Sequence, residues 1–188
     1  MSVRLRPYTP ADSEPYLALY EAAFPASERK EFSFMTEGPL SPSYDLLVIE
    51  TDTESVAGLV ILVSHGQFTL LDYLAVSPSL RGQGIGHAVL PQIRAFCIAT
   101  HPGAHLLLEI ETPMPDCENN AQRLRRKAFY LSAGLCETGV HARIYGTDME
   151  LLTYPEDAPF VTFAAYAALL SATFPDGMTP QTPGEAVQ

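Results

Sequence analysis

Leu71-Asp72-Tyr73-Leu74-Ala75-Val76-Ser77-Pro78-Ser79-Leu80-Arg81-Gly82-Gln83-Gly84-Ile85-Gly86 is the stretch that decides how this chain is read. Apolar residues up to Val76 describe a buried strand, which Ser77-Pro78 ends. A glycine-rich turn follows, and residues 87–96 then carry helical periodicity. Strand, glycine turn and helix N-terminus in this order form an anion site. Successive backbone N–H groups converge with no side chain in the way, and the helix dipole adds partial positive charge. The expected ligand is a phosphate or pyrophosphate. No Gly-Lys-Ser/Thr follows, which excludes a nucleoside-triphosphate P-loop. The dinucleotide fingerprint would place its third glycine at His87 rather than Gly86.

Two further stretches lie downstream. In residues 105–112, an apolar strand candidate, Glu109 and Glu111 sit two apart and so share one face, with Leu108 and Ile110 on the other. Paired carboxylates raise one another's proton affinity, which suits a general base. Glu109, nearer the strand centre, is the first choice and Glu111 the second. Ala121, Leu124, Ala128 and Leu131 then give helical spacing, and Gly134 is a natural stop. Tyr130 falls near the C-terminal end of that helix.

The glycine stretch resembles motif A of the GNAT superfamily of N-acetyltransferases, Arg/Gln-x-x-Gly-x-Gly/Ala after a strand, with Arg81, Gly84 and Gly86 in its fixed positions. The later stretch is similar to that superfamily's Tyr-x-x-x-Gly-Phe pattern, with Tyr130, Gly134 and Leu135 in place of Phe. The resemblance implies an α/β fold of the α+β type: a mixed, splayed central sheet with helices on both faces, plus an extra C-terminal helix. It implies acetyl-CoA as co-substrate. Arg81, Gly82, Gln83, Gly84, Ile85, Gly86 and His87 would hold its pyrophosphate, and the backbone of Leu74, Ala75 and Val76 would run beside the pantetheine arm. Tyr130 would be the acid for the leaving thiolate. Where many members carry Asn seven residues before that tyrosine, this chain has Arg123.

Composition bounds the remaining possibilities. At 188 residues with 47% hydrophobic and 18% charged residues, the chain fits one domain with a proper core. A net charge of −11 argues against nucleic acid, whose backbone needs clustered Lys and Arg, and weakly favours a cationic acceptor. The run Arg123-Leu124-Arg125-Arg126-Lys127 reads either as a solvated helix face or as one that turns one or two residues toward ligand. No apolar run is long enough to span a bilayer. Cys97, Cys117 and Cys136 show neither metal nor redox spacing, and Pro102-Gly103 separates His101 from His105, so no metal is expected. Reduced thiols and no leader pattern give a cytoplasmic expectation.

Residues 1–154 are expected to be the acetyltransferase-like domain. Residues 155–174 read as an appended helix, apolar nearly all round, packing on the domain or on a partner subunit in a homodimer. Residues 175–188 are expected to be a disordered tail. Acceptor recognition is expected from the first two helices and their connection, with Ser27 capping the second helix and Glu28 and Arg29 as candidate substrate contacts. The expected activity is acetyl transfer from acetyl-CoA to a primary amine of a small molecule, by direct attack in a ternary complex. The alternatives are an acyl-CoA-binding sensor without catalysis, and an acetyltransferase of protein N-termini or lysines.

Overall fold

The computed structural model describes residues 2–174 and 178–183. Its strands are β1 (Val3–Pro7), β2 (Tyr44–Thr51), β3 (Gly58–His65), β4 (Phe68–Val76), β5 (His105–Glu111), β6 (Cys136–Ile144) and β7 (Thr147–Thr153). Its α-helices are α1 (Ser13–Ala23), α2 (Phe32–Thr36), α3 (Ile85–Thr100), α4 (Asn120–Ser132) and α5 (Phe163–Thr173). The strands form one seven-stranded sheet in the order β1-β2-β3-β4-β5-β7-β6. Pairing is antiparallel for β1–β2, β2–β3, β5–β7 and β6–β7, and parallel for β4–β5. This is the mixed sheet of the α+β class. The β4–β5 ladder comprises the pairs Phe68↔His105, Thr69↔Leu106 and Leu70↔Leu107.

Contacts divide the chain into two compact units, Met1–Val63 with Leu71–Pro102, and Ser64–Leu70 with Gly103–Gln188. In the first, β3 is buried along Gly58–Val63, so it reads as a continuous apolar run rather than an alternating one. Helix α3 turns Ile85, Val89, Leu90, Ile93 and Cys97 inward as a single stripe. It also protects edge strand β1: Gln92 Oε1 accepts from the Leu5 N–H at 3.0 Å, and Gln92 Nε2 donates to the Val3 carbonyl at 3.0 Å. Before α1, Arg6 grips the buried Asp12 with two hydrogen bonds of 2.8 and 2.7 Å, and Thr9 donates to it from both its N–H and its hydroxyl. The guanidinium hydrogen bonds hold the Asp12 carboxyl well below the usual carboxylate range, against the opposing effect of burial.

The expected helix opening at Ser27 does not form. Residues 26–28 make a turn, and α2 starts only at Phe32. Tyr20 and Tyr73 hydroxyls accept from the Lys30 N–H at 3.0 and 3.2 Å, and the Lys30 ammonium pairs with Asp72 on β4. These tertiary partners hold the connection out of helix.

In the second unit, register places Glu109 opposite Leu151 and Glu111 opposite Met149, while Ile110 lies opposite Glu150. Glu109 and Glu111 therefore share a face, and Glu150 belongs to the other. Helix α4 is turned away from its expected orientation: Ala121, Leu124, Ala128 and Leu131 are all exposed. Its half-buried side carries Arg123, Arg126, Lys127, Phe129 and Tyr130 instead. The cations on that side meet carboxylates, and those ion pairs outweigh the small apolar stripe. Gly134 closes the helix with φ +93°, as its position implied.

Helix α5 is capped by Thr162, whose hydroxyl accepts from the Ala165 N–H at 3.2 Å, and it buries Tyr166, Leu169, Leu170 and Thr173. Within the stretch read as a tail, Gln181 exchanges backbone hydrogen bonds with Arg143 of β6 at 2.7 and 3.0 Å. Residues 175–177 and 184–188 lie outside the described residues.

Two predictions follow from packing and charge in the first unit. A Cβ at Gly58 would stand 2.5 Å from the Ala75 carbonyl oxygen and 2.8 Å from Ile49 Cδ1, so backbone must move. Gly58→Ala is expected to cost about 1–3 kcal/mol, a melting-temperature loss of several degrees. Because its folded-state proton affinity is depressed, Asp12 stabilises the fold above the ordinary carboxylate range, and that contribution is lost as pH falls below it. In acid unfolding curves Asp12→Asn should flatten the dependence of stability on pH below about 4.

Candidate active site

The glycine stretch folds as its spacing requires. Strand β4 ends at Val76, the Ser77 N–H donates to the Ala57 carbonyl at 2.9 Å, and Pro78–Leu80 makes one 3₁₀ turn. Arg81 is exposed, and its Nε donates back to the Val76 carbonyl at 3.1 Å, fixing the loop to the strand end. Gly82 and Gly84 have φ of +77° and +79°, and no atom lies within 4 Å of a Cβ at either. Glycine is needed here for backbone conformation rather than for space. Gly84 is the N-cap of α3, and Gly86 lies in the first helical turn.

The Ala88 N–H of α3 donates to the Gly84 carbonyl at 3.0 Å. Among the described residues no acceptor takes the amides of Gly82, Gln83, Gly84, Ile85 or Gly86. Consecutive unpaired N–H groups at the start of a sixteen-residue helix are what an anion of the phosphate class binds. The donors present therefore fit a pyrophosphate. Leu74 and Val76 are half-buried and Ala75 is buried, so these side chains pack while the backbone carries the strand end.

The connection expected to meet the acceptor is held against β4 in the same unit. The Lys30–Asp72 pair is almost wholly buried, at 7% and 6% side-chain exposure, with Lys30 5.2 Å from the Tyr73 ring centroid and 5.8 Å from that of Tyr44. Tyr73 donates its hydroxyl to the Glu28 carbonyl at 2.6 Å. Burial, with Asp72 adding to it, pushes the Tyr73 phenol far above its ordinary value, and Tyr73 is a donor at any working pH. The Glu28 side chain is exposed, whereas Arg29 is half-buried with Nη1 3.7 Å from Glu21. Its buried Nε has no hydrogen-bond partner among the described residues. The same unit holds an open cleft of about 750 Å³ whose lining includes Tyr8, Leu17, Phe32, Met35, Glu37 and Tyr44. None of the residues singled out from the sequence lines it.

The second unit carries the groups able to handle protons. Glu109 Oε2 accepts from the hydroxyl of Tyr166 on α5. Glu111 is committed to an ion cluster, with Arg123 Nη2 at 2.7 Å and Arg126 Nη1 at 3.3 Å. Arg123 also donates to the Thr112 carbonyl at 2.9 Å and to Asn119 Oδ1 at 2.8 Å, so it braces the turn between β5 and α4. On the other face Lys127 bridges Glu150 at 2.7 Å and Glu137 at 2.9 Å. Tyr130 is half-buried beside Phe129, with ring centroids 4.9 Å apart. Burial pushes its phenol up to about 12, although the nearby Arg126 charge opposes the shift. No hydrogen-bond acceptor for the Tyr130 hydroxyl is found among the described residues.

Three participants were not read from the sequence: Asp72, Lys30 and Tyr166. Asp72 did carry a signal, an acid inside an apolar strand, of the kind that drew attention to Glu109. Tyr166 carried none, being an aromatic residue within an apolar helix. Among the described residues no group of three or more His, Cys, Asp and Glu side chains is placed to hold a metal ion. No helix among them is long and apolar enough to cross a membrane.

With this geometry in view, the chain matches the acetyltransferase (GNAT) domain family over residues 42–134. Solved structures share the fold. A Bacteroides thetaiotaomicron protein of the GNAT family is 19% identical with a TM-score of 0.60, over 80% of this chain and 86% of that one. A GNAT family acetyltransferase from Elizabethkingia anophelis, with acetyl-CoA bound, is 18% identical with a TM-score of 0.57, over 81% and 97%. A variant of the spermidine N-acetyltransferase SpeG from Vibrio cholerae is 16% identical with a TM-score of 0.58, over 80% and 91%. No curated protein matches the chain by sequence. Residues 42–134 thus carry an acetyltransferase (GNAT) domain, and the fold of the chain is that of GNAT acetyltransferases.

The loop itself can be tested with a matched control. Gly84→Ala and Gly103→Ala both force a side chain onto a φ near +80°, at a cost of about 1–2 kcal/mol each. Calorimetric titration with coenzyme A is expected to show at least tenfold weaker binding for Gly84→Ala and unchanged binding for Gly103→Ala.

Proposed function

We propose that this protein transfers an acetyl group from acetyl-CoA to a primary amine of a small molecule, by direct attack in a ternary complex. The observation that carries the reading is the run of unpaired amides from Gly82 to Gly86 at the start of α3, in a chain that carries a GNAT domain. The acetyl-CoA bound to the Elizabethkingia structure and the spermidine acetyltransferase among the neighbours agree with it.

Acetyl-CoA would supply a thioester carbonyl, activated toward attack by an amine. The loop amides and Arg81 bind the pyrophosphate, and the backbone of Leu74, Ala75 and Val76 holds the pantetheine arm and the acetyl oxygen. Backbone donors favour the transition state because developing oxyanion charge accepts hydrogen bonds better than a ground-state carbonyl does. Glu109 takes the proton the amine must lose, directly or through one water. Glu111 keeps its carboxylate in the Arg123–Arg126 cluster and shapes that end of β5.

Tyr130 donates to sulfur as the carbon–sulfur bond breaks. With its phenol near 12, full proton transfer to a thiolate whose thiol has a pKa of about 8.5 is uphill. Tyr130 therefore works as a hydrogen-bond donor that steadies the thiolate, which takes its proton from the medium. Glu28 and Arg29 are assigned to the acceptor. The surplus of 22 acidic over 11 basic residues favours a cationic one.

The first experiment is a thermal shift with acetyl-CoA. At about a hundredfold over Kd, binding to the folded state alone adds about 2.7 kcal/mol, a rise of several degrees. A folded protein that shows no rise refutes the coenzyme site. If the rise is seen, Tyr130→Phe should keep it while turnover with an accepted amine falls more than tenfold. Binding without turnover of any amine by the wild-type protein would instead identify a sensor.

A further inference from the structure

Helix α5 lies beyond residues 42–134, the region matched by the family, yet it touches the strand that carries the assigned base. Tyr166 is fully buried on α5, and its hydroxyl donates to Glu109 Oε2, 57 residues away in sequence. We propose that Tyr166 is a positioning residue for Glu109: it fixes the carboxylate's orientation and favours its ionised form, so the proton-accepting state of the site depends on the docking of α5. The inference rests on Glu109 being the base.

A buried phenol requires an acceptor, and a backbone carbonyl is sufficient. The buried Tyr16 donates to the Val60 carbonyl at 3.2 Å, and Tyr73 to that of Glu28. Tyr166 donates to a carboxylate instead. A hydrogen bond to a charged acceptor is about twice as strong as a neutral one, and it stabilises the carboxylate but not the carboxylic acid. Tyr166 thereby lowers the proton affinity of Glu109 while locking its rotamer.

The charged groups around Glu109 have partners of their own. On the same face of β5, Glu111 is held by Arg123 and Arg126 of α4. Strand β7 presents Leu151 opposite Glu109; its Asp148 is paired with Arg143 of β6, and its Glu150 lies on the other face with Lys127 and, through that lysine, Glu137. Helix α5 contains no charged residue, and Tyr166 is its one titratable side chain. Its four buried residues Tyr166, Leu169, Leu170 and Thr173 are its docking face, so seating the helix and delivering the hydroxyl are one event.

The test uses the full chain as wild type, Tyr166→Phe, Glu109→Gln and the double variant. Carboxyl-carbon NMR of labelled glutamate follows the Glu109 titration without ligand, its signal identified by its loss in Glu109→Gln. The pH profile of kcat/KM with acetyl-CoA and an accepted amine follows the same group in turnover. Tyr166→Phe is expected to move the Glu109 titration and the acid limb up by about one pH unit. It should cost about tenfold in kcat/KM below the limb, converge on wild type above it, and change nothing further in the Glu109→Gln background.

A lower melting temperature with both titrations unmoved would make Tyr166 merely structural and overturn the inference. Wild-type activity in Glu109→Gln removes the base assignment and the inference with it. An inactive Glu109→Gln beside an unmoved limb in Tyr166→Phe sinks only the inference. Should Tyr166→Phe fail to fold, 3-fluorotyrosine at position 166 keeps the ring and strengthens the donor. It must then move the Glu109 titration downward, and an unmoved titration counts against the proposal.

Discussion

A carboxylate on a buried strand has to be met by a donor, because an unpaired buried charge costs several kcal/mol. That constraint organises this protein. Asp72 on β4 is met by Lys30, Glu111 by Arg123 and Arg126 of α4, Glu150 by Lys127, and Glu109 by Tyr166 of α5. Each pairing brings in an element other than the strand that holds the acid. The acids on the strands thus specify where the helices and connections seat.

The constraint also separates the two carboxylates of β5. They share a face by register, but two guanidiniums occupy Glu111 while a neutral phenol meets Glu109. Two cations fix a carboxylate in place. A phenol supports the carboxylate and leaves it able to take a proton. Under the proposed function, this difference in partner chemistry favours Glu109 over Glu111 as the base.

Legibility in the sequence followed the range of the interactions. The turn from Val76 to Ile85 was readable because left-handed φ at Gly82 and Gly84 is a local demand that glycine alone meets without strain. The shared face of Glu109 and Glu111 was readable because a strand alternates every residue. The orientation of α4 was not. Its apolar stripe of Ala121, Leu124, Ala128 and Leu131 indicated one face, and the ion pairs of Arg123, Arg126 and Lys127 selected another. The start of α2 was misplaced for the same reason, since Tyr20, Tyr73 and Asp72 hold Lys30 from distant parts of the chain.

By itself the sequence determined the strand–glycine turn–helix unit and the α+β class, since these rest on local backbone conformation and short-range periodicity. Tertiary structure alone decided which carboxylate meets a phenol and which meets arginines, which side of α4 faces inward, and that the appended helix delivers a hydroxyl to β5. The physical reason is desolvation. The cost of an unpaired buried charge is set by what the folded chain places beside it, and partners such as Glu109 and Tyr166, 57 residues apart, leave no periodic trace between them.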